Sequence, residues 1–465
     1  MSGESRDPRG RRSLSRREFV AGSAAVLGWP LVGTAVRAAA RPVPSPAQLA
    51  WQRDELALFL HFGVNTFTDR EWGDGTEDPG IFTPSALDAR QWVRTARAAG
   101  FRAMVLTAKH HDGFCLWPTT TTTHGVVSSP WRGGTGDLVR EFVDACRAEG
   151  LRAGLYCSPW DRNAPSYGNS LRYNDLYATQ LTELLTRYGE IAEVWFDGAN
   201  GEGPNGRRQE YDWPRVFGLV RRLQPTAVVF SDAGPDVRWC GNERGVAGDP
   251  NWSTVNPEAV PYPGASGDAV TTMLQHGDPN GAVWRPAEAD VSIRPEWFYH
   301  AAEDDRVRPV DDLLDLYFSS VGRNSKLLLN VPPTRDGLLH STDVARLSGM
   351  HQRLTTMFTD DLAAGARATW TRTGARAAEA EVDLGRTVTV RVARLEEDIT
   401  DGQAVARYTL YGSDGGAWQA LSRGTTIGYA KLDRFAPVPV RRARLVINEA
   451  AVAPAAVRVR LYQAG

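Results

Sequence analysis

The 465-residue chain has few cysteines, few histidines and almost no net charge. Its four cysteines, Cys115, Cys146, Cys157 and Cys240, are scattered without any C-x-x-C pair. Cys146 lies on the apolar face of a predicted helix and Cys157 within a predicted strand, so we interpret both as small core residues. The formal net charge of −2, with both signs interspersed, gives no electrostatic reason to expect nucleic acid or an anionic membrane as a partner.

A long apolar run is lacking everywhere except near the N-terminus. There, two arginine pairs precede the run AGSAAVLGWPLVGTAV, which ends in three alanines at positions 38–40. A basic region, an apolar region and a small-residue cleavage site are typical of a signal peptide, and the arginine pairs favour the twin-arginine type. The alternative, a membrane anchor, is disfavoured by the shortness of the run and by Pro30. We therefore predict a signal peptide over residues 1–40, a secreted or periplasmic protein, and no membrane partner after cleavage.

From Leu56 onward, strand-like runs alternate with amphipathic helical runs. LALFLHFG, FRAMVLTAKHH, LRAGLYCSPW and IAEVWFDGA predict strands, and the intervening segments predict helices that end on Gly100, Gly150 and Gly189. The first of these helices is predicted to have Pro84 in its first turn. Repeated βα units require parallel strands, and about 300 residues of them favour a (β/α)8-like, TIM-type barrel. No G-x-G-x-x-G follows the first strand, which argues against a dinucleotide-binding sheet.

The alternation continues through AVVFSDAG, DVRWCGNERG and KLLLNVPP to a last helix, although residues 245–300 carry few periodic signals. After about Leu362 the pattern changes to short alternating segments such as TVTVRVARLEE, YAKLDRF and RRARLVIN. These segments predict an antiparallel β-sandwich. The predicted domains are therefore a barrel over residues 41–361 and a C-terminal β-sandwich over 362–465. We expect the sandwich to support the barrel by packing rather than to bind sugar.

Polar residues follow the predicted barrel strands at the points where the strands end. We call the residues at the carboxyl end of each strand its exit. In chain order the exits contain His61, His110-His111-Asp112, Tyr156, Asp197 and Asn242-Glu243. In parallel barrels the catalytic residues gather at the carboxyl ends of the strands. Any one of these residues could cap or tether a loop, but five polar exits together indicate a shared site.

One interpretation of this cluster is a metal-dependent hydrolase, because histidines and carboxylates at barrel strand ends also bind metals. The usual signature on the first strand is two histidines one residue apart, but this strand offers only His61. His110 and His111 are adjacent, so on an extended strand they point to opposite faces. The sequence therefore disfavours a metal site.

A second interpretation is glycoside hydrolysis, which needs two carboxyl groups on either side of one sugar. Asp197 leaves an apolar strand just after Trp195 and, if held by hydrogen bonds, would stay ionised and act as a nucleophile. Glu243 follows another strand beside Trp239, and an apolar, aromatic setting would raise its pKa. A glutamic acid with a raised pKa suits the role of general acid.

Six ordered motifs, HFG, EW, KHHDGFCLW, GLYCSPWDRN, VWFDG and RNSKLLLNVPP, resemble those of the α-L-fucosidases of glycoside hydrolase family 29. The resemblance runs from about Trp51 to Pro333. It implies a (β/α)8-like barrel with a C-terminal β-sandwich, a retaining mechanism, a fucosylated glycan as substrate, and no metal or organic cofactor. Matched position by position, Asp197 is the nucleophile. The positions that match those around the fucose are His61, Glu71, Trp72, His110, His111, Tyr156, Trp195 and Trp297.

The proton donor varies within that family. The segment RWCGNERG resembles the subgroup selective for α-1,3 and α-1,4 fucosyl linkages, in which the glutamate of a G-N-E segment donates the proton. This resemblance assigns Glu243, and Glu288 and Glu296 are the alternative candidates. The expected function is an exported, exo-acting, retaining α-L-fucosidase for α-1,3/1,4-linked fucose. The alternatives are a broad-specificity α-L-fucosidase of the same family and a non-catalytic fucose-binding protein on the same fold.

Overall fold

A computed structural model of the protein describes residues 41–463, and the predicted signal peptide lies outside the described residues. Within this range, eight parallel strands form one sheet in which neighbours along the chain pair and β1 pairs with β8. The strands are β1 Leu56–Leu60, β2 Ala103–Lys109, β3 Arg152–Cys157, β4 Glu193–Trp195, β5 Val228–Phe230, β6 Arg238–Trp239, β7 Ala287–Ser292 and β8 Ser325–Asn330. A parallel bridge between Phe230 and Val237 joins β5 to the start of β6 and closes the ring.

Helices connect most successive strands of the barrel. The α-helices of the described residues are α1 Pro46–Arg53, α2 Val64–Thr68, α3 Ala89–Ala98, α4 Leu138–Glu149, α5 Ser170–Arg187, α6 Trp213–Leu223, α7 Asp268–His276, α8 Val310–Ser319 and α9 Ser341–Phe358. Helix α1 precedes β1, and α9 follows β8. The described connection from β5 to β6 is a short loop without a helix, and two short strands, Thr254–Val255 and Val283–Trp284, pair between β6 and β7. The predicted (β/α)8-like barrel is thereby confirmed, with one crossover reduced to a loop. None of the helices in residues 41–463 combines the length and the apolar character needed to cross a bilayer.

The first two barrel strands are apolar because both of their faces are buried, as parallel strands under helices require. Alternate residues of β1 enter two different cores. Leu58 and Leu60 pack with the surrounding helices, whereas Phe59 packs inside the barrel with Tyr156 and Trp195. The inward side chains of the strands therefore fill the inside of the barrel, beneath the polar residues at the carboxyl ends of the strands.

Helix α3 begins later than predicted. The predicted start near Pro84 is wrong, because the helix begins at Ala89 and Asp88 caps it by accepting the backbone N–H of Arg90. The preceding residues instead donate backbone hydrogen bonds to the carbonyls of residues 336–337. The aspartate cap and this tether to the loop after β8 together set the start of the helix.

The four cysteines are buried and do not form disulfides. Cys146 lies in the core between α4 and the sheet, and Cys157 ends β3. The prediction that these two are small core residues is confirmed.

The C-terminal segment forms a six-stranded antiparallel sheet that folds over one apolar core, in agreement with the predicted β-sandwich. Its strands are β9 Arg367–Gly374, β10 Ala377–Glu397, β11 Val405–Ser413, β12 Gln419–Gly424, β13 Lys431–Ala450 and β14 Val457–Tyr462. The long strands β10 and β13 pair with each other, with register breaks after Asp383 and Val390. KLDRF of the segment YAKLDRF and the whole of RRARLVIN, predicted as separate segments, are both parts of β13. The breaks let a long strand bend and continue where the sequence pattern suggests two strands.

The β-sandwich contacts the barrel at the amino ends of β1 and β8. Asn324, just before β8, adopts a left-handed φ of 60°, donates to the side chain of Gln403 and accepts the backbone N–H of Tyr429. Glu55, just before β1, pairs with Arg394 at 2.6 Å. These contacts lie at the end of the barrel opposite the polar strand exits, an arrangement that fits the expected supporting role of the sandwich.

Replacing Asn324 with alanine should lower the free energy of unfolding by about 3 kcal/mol, measured by denaturant unfolding. The Asn324 amide also donates to the Asn251 carbonyl and the Ser253 hydroxyl, and each buried group left without a partner costs about 1–3 kcal/mol. Alanine at a left-handed φ adds roughly 1 kcal/mol. Glycine at this position is the matched control. It adopts the left-handed φ without strain, but like alanine it cannot make the hydrogen bonds of the Asn324 side chain. An N324A variant as stable as the wild type would contradict this account of the contact.

Candidate active site

The carboxyl ends of the barrel strands surround a cavity of about 480 Å³. It is lined by Phe59, His61, Glu71, Trp72, His110, His111, Tyr156, Trp195, Asp197, Glu243, Asp290, Glu296 and Trp297. All ten residues assigned to the site from the sequence are in this wall. The structure therefore brings these residues together, and the part that each plays in binding or chemistry stays a prediction.

Asp197 follows β4 with its carboxyl group in the cavity. Its Oδ1 accepts the backbone N–H of Ala199 at 2.7 Å, and its Oδ2 accepts the hydroxyl of Tyr156 at 3.2 Å. His111 Nε2 lies 3.8 Å from the same Oδ2. The side chain is 28% exposed, so the carboxylate is held by two donors and remains open to a ligand. Donors of this kind stabilise the ionised form that a nucleophile needs.

Glu243 lies in the loop after β6, at the mouth of the cavity. Its side chain remains open to solvent. The surrounding protein still displaces enough water to raise the pKa of the Glu243 carboxyl, and the negative charge of Asp197 raises it further, against a contact with the Trp297 indole. Glu243 therefore keeps its proton to a higher pH than an ordinary glutamate, as a general acid must.

Burial favours the neutral form of the three histidines of the cavity. Burial lowers the pKa of His61 to about 3 and also lowers the pKa of His110 and of His111. Asn330 fixes the tautomer of His61, because its amide nitrogen donates to the Trp297 carbonyl and its Oδ1 must then accept the His61 Nδ1 proton at 2.8 Å. The Nε2 of His61 is left without a proton and can accept a hydrogen bond from a hydroxyl group.

Ser158 fixes His111 in the same tautomer, with the proton on Nδ1. The Ser158 hydroxyl donates to the Trp160 carbonyl at 2.7 Å, so it accepts the Nδ1 proton of His111, also at 2.7 Å. The Nε2 of His111, on the side of Asp197, is then the acceptor. Two neutral imidazoles therefore offer acceptors to a ligand that is rich in hydroxyl groups.

His110 and His111 both line the cavity, so the expectation that they point to opposite faces is wrong. Strand β2 ends at Lys109, and its register with β3 shifts between Thr107 and Lys109. A bulge of this kind re-aims the side chains that follow it. The two imidazole centroids consequently lie only 4.1 Å apart.

Glu71 connects the loop after β1 to the loop after β7. Its two carboxyl oxygens accept the backbone N–H groups of Trp297 and Phe298 at 2.8 and 3.0 Å. The Trp297 ring is thereby held with its centroid 5.1 Å from that of His61. Glu71 therefore fixes the aromatic wall, and its predicted place beside the sugar stays a prediction. Trp72, 56% exposed, stands at the rim with its ring edge-on to His111.

The two alternative proton donors, Glu288 and Glu296, differ in their access to the cavity. Glu288 is fully buried beneath the cavity, accepts the indole N–H of Trp195 at 2.9 Å and lies 3.9 Å from Lys326. Glu296 lines the cavity and is exposed to solvent. Glu288 is therefore poorly placed to protonate a ligand, whereas Glu296 has access to the mouth.

Two residues of the wall were not predicted from the sequence. Phe59, the inward residue of β1, lies with its ring centroid 5.3 Å from that of Trp195. Asp290, on β7, is 4% exposed and accepts the indole N–H of Trp239 at 2.7 Å. In the segment AEADVS every second residue is polar, and this alternation could have indicated a strand with Asp290 on its polar face.

The site thus combines the carboxyl groups of Asp197 and Glu243, imidazole acceptors and several aromatic rings in one cavity. Among residues 41–463, no three or more His, Cys, Asp or Glu side chains are grouped as a metal ion would require. The carboxyl groups, imidazoles and aromatic rings of the cavity can together hold a hydroxyl-rich ring, attack it with a carboxylate and protonate a leaving oxygen.

Comparison with known proteins gives consistent matches. A family model described as alpha-L-fucosidase matches residues 64–356. Alpha-L-fucosidase 1 of Arabidopsis thaliana is 42% identical over 453 residues, which cover 90% of this chain and 87% of that protein. The crystal structure of SpGH29 is similar with a TM-score of 0.86 at 40% identity, over 91% of this chain and 99% of that one. A GH29 fucosidase of Ruminococcus gnavus, solved in complex with fucose, has a TM-score of 0.82 at 30% identity, over 92% and 96% of the two chains.

Proposed function

This chain belongs to the α-L-fucosidase family, glycoside hydrolase family 29, and on that premise we propose that it releases terminal fucose from glycans by a retaining double displacement. The observation that carries the proposal is the pairing of Asp197 with Glu243 in one cavity. One carboxyl is held by two hydrogen-bond donors, and the other has a raised pKa. A nucleophile and a proton donor need this division of properties.

In the first step, a carboxylate oxygen of Asp197 attacks C1 of the fucosyl unit and the bond from C1 to the glycosidic oxygen breaks. Glu243 gives its proton to that oxygen as the acceptor sugar leaves. In the second step, Glu243 removes a proton from water, the water oxygen attacks C1 of the fucosyl ester, and the bond from C1 to the Asp197 oxygen breaks. Fucose leaves with its original anomeric configuration, and both carboxyl groups return to their starting states.

Recognition of fucose would follow from the acceptors and rings of the wall. The free Nε2 atoms of His61 and His111 accept hydrogen bonds from sugar hydroxyls. The Trp297 ring supplies an apolar surface for the methyl group that distinguishes a 6-deoxy sugar. The fucose complex of the Ruminococcus gnavus relative supports this assignment of the ligand.

The linkage preference and the location of the enzyme are further parts of the proposal. The G-N-E segment is a compact turn, because Asn242 donates to the Val246 carbonyl at 2.8 Å and accepts the Arg244 N–H at 3.1 Å. This segment favours α-1,3- and α-1,4-linked fucose through its resemblance to the selective subgroup. The arginine pairs and apolar run of residues 1–40 support export by the twin-arginine route.

A panel of α-1,2, α-1,3, α-1,4 and α-1,6 fucosylated oligosaccharides tests this function through the fucose released from each. We expect turnover of the α-1,3 and α-1,4 linkages, α-L-fucose as the first anomer seen by proton NMR, and unchanged activity in EDTA. First appearance of β-L-fucose would contradict the retaining mechanism, and equal turnover of all four linkages would favour the broad-specificity alternative. Binding without release would favour a non-catalytic fucose-binding protein.

A further inference from the structure

The loop that presents Glu243 is attached at both ends to strand β7. At its start, the Cys240 backbone N–H donates to the Glu288 carbonyl at 2.9 Å. At its end, the Gly245 backbone N–H donates to the Asp290 carbonyl at 3.1 Å. The two ends of the loop are thereby fixed to residues of one strand, two positions apart.

The side chain of Asp290 adds a third attachment. Its Oδ1 accepts the indole N–H of Trp239, the last residue of β6, at 2.7 Å. Asp290 therefore bonds the chain on both sides of Glu243, once through its carboxyl group and once through its backbone carbonyl. A change at Asp290 acts directly on the segment that sets the position of the Glu243 carboxyl.

The Asp290 carboxyl is also part of the cavity wall. It is 4% exposed and lines the same cavity as Asp197 and Glu243. Glu288 precedes it by two positions on β7 and therefore points to the same face, but Glu288 is engaged with Trp195 below the cavity. Asp290 therefore anchors Trp239 and lines the cavity with the same carboxyl group.

We propose that Asp290 is a positioning residue for the proton donor, which holds Glu243 over the bond to be broken through its two bonds to the chain on either side of Glu243. The proposal rests on the proposed function, because it takes Glu243 as the donor. An ionised Asp290 would add a negative charge close to Glu243 and would oppose the carboxylate form that Glu243 must adopt as a base. An uncharged carboxylic acid anchors Trp239 and leaves Glu243 free to alternate between its two forms.

The surroundings of Asp290 favour its protonated form. Burial raises the pKa of Asp290 well above its usual range, and the negative charges of Glu243 and Asp197 raise it further, against the hydrogen bond from Trp239. Glu288, the other acid on this face of β7, also has a raised pKa through burial, and the nearby Lys326 ammonium only partly offsets the rise.

Asp290→Asn and Asp290→Ala separate the proposed effects. Asparagine keeps an oxygen that can accept from Trp239 and has no charge, whereas alanine removes the anchor. Each full-length variant is assayed on a fucosylated trisaccharide, whose leaving oxygen needs a proton, and on α-L-fucosyl fluoride, whose fluoride leaves without one. Thermal unfolding of each variant accompanies the assay, and Trp239→Phe removes the same hydrogen bond from the other side.

We expect D290N to stay within about threefold of the wild type in kcat/KM on both substrates, with the alkaline limb of the pH profile unmoved. We expect D290A to lose about 10- to 100-fold on the trisaccharide, part of the 10²–10⁴-fold that acid catalysis supplies, and to lose little on the fluoride. W239F should show the same preference for the fluoride, with a smaller loss on the trisaccharide.

Three results would overturn the proposal: equal losses on both substrates in D290A and W239F, no loss on either substrate in these two variants, or an alkaline limb moved to lower pH in D290N. The last would mean that a negative charge on Asp290 had been raising the pKa of Glu243. If D290A does not fold, D290N and W239F still decide the question. A wild-type protein that releases fucose from neither substrate would reject the proposed function instead.

Discussion

Replacing Asp197 with asparagine should lower kcat/KM for fucoside hydrolysis by about 10⁴-fold or more, because the amide oxygen cannot replace the carboxylate that attacks C1 in the proposed first step. Asparagine has nearly the same shape, and its side-chain oxygen can still accept the Ala199 N–H, so thermal unfolding should change little. Added azide should enter from the vacated face and yield β-L-fucosyl azide. The measurements are initial rates on an aryl fucoside and the anomeric configuration of the azide product.

Asp232→Asn is the matched control for D197N. Asp232 follows β5, accepts the Gly264 N–H at 2.9 Å and does not line the cavity. Burial and the charge of Asp197 raise the pKa of Asp232 to about 6, so it is a second acidic group close to the nucleophile. We expect a far smaller loss in D232N. Equal activity of D197N and the wild type would exclude Asp197 as the nucleophile.

Replacing Glu243 with glutamine should lower kcat/KM on fucosylated oligosaccharides by about 10²–10⁴-fold, the usual contribution of a general acid. The loss should be much smaller on α-L-fucosyl fluoride, and azide should yield the α-L-fucosyl azide. In the wild type, kcat/KM on oligosaccharides falls as the pH rises through the pKa of Glu243, because the first step needs the protonated form. Since that pKa is raised, the fall lies above the ordinary range of glutamate, and it should be absent in E243Q.

Glu296→Gln is the informative comparison for E243Q, because Glu296 is the other exposed glutamate of the cavity. If the leaving-group dependence and the altered alkaline limb occur in E296Q and not in E243Q, the proton donor is Glu296. Both variants conserve side-chain shape, so the comparison isolates the acidic proton.

The barrel could be predicted from the sequence because strands such as LALFL are apolar on both faces and are followed by amphipathic helices. The shared site could be predicted because polar residues directly follow several apolar strands, and the carboxyl ends of parallel barrel strands meet at one end of the barrel. For example, His61 and Asp197 each stand at the end of a buried strand, and both line the cavity.

Strand β7 could not be recognised in the same way. Its inward side chains, Glu288, Asp290 and Ser292, are polar, and each bonds to a residue of another barrel strand or loop: Trp195, Trp239 and Asn330. A strand whose polar interior is satisfied by partners distant in the sequence lacks the apolar signature of a buried strand. For this reason the stretch 245–300 gave few signals, and Asp290 was missed together with it.

The attachment of the β-sandwich near Glu55 and Asn324 has a practical consequence. A linker or solid support coupled to the β-sandwich would hold the molecule through the domain that contacts the amino ends of β1 and β8, whereas the cavity lies at the carboxyl ends of the strands. Immobilised in this orientation, the catalyst would keep its entrance directed into the surrounding solution, accessible to bulky glycoproteins as well as to short oligosaccharides.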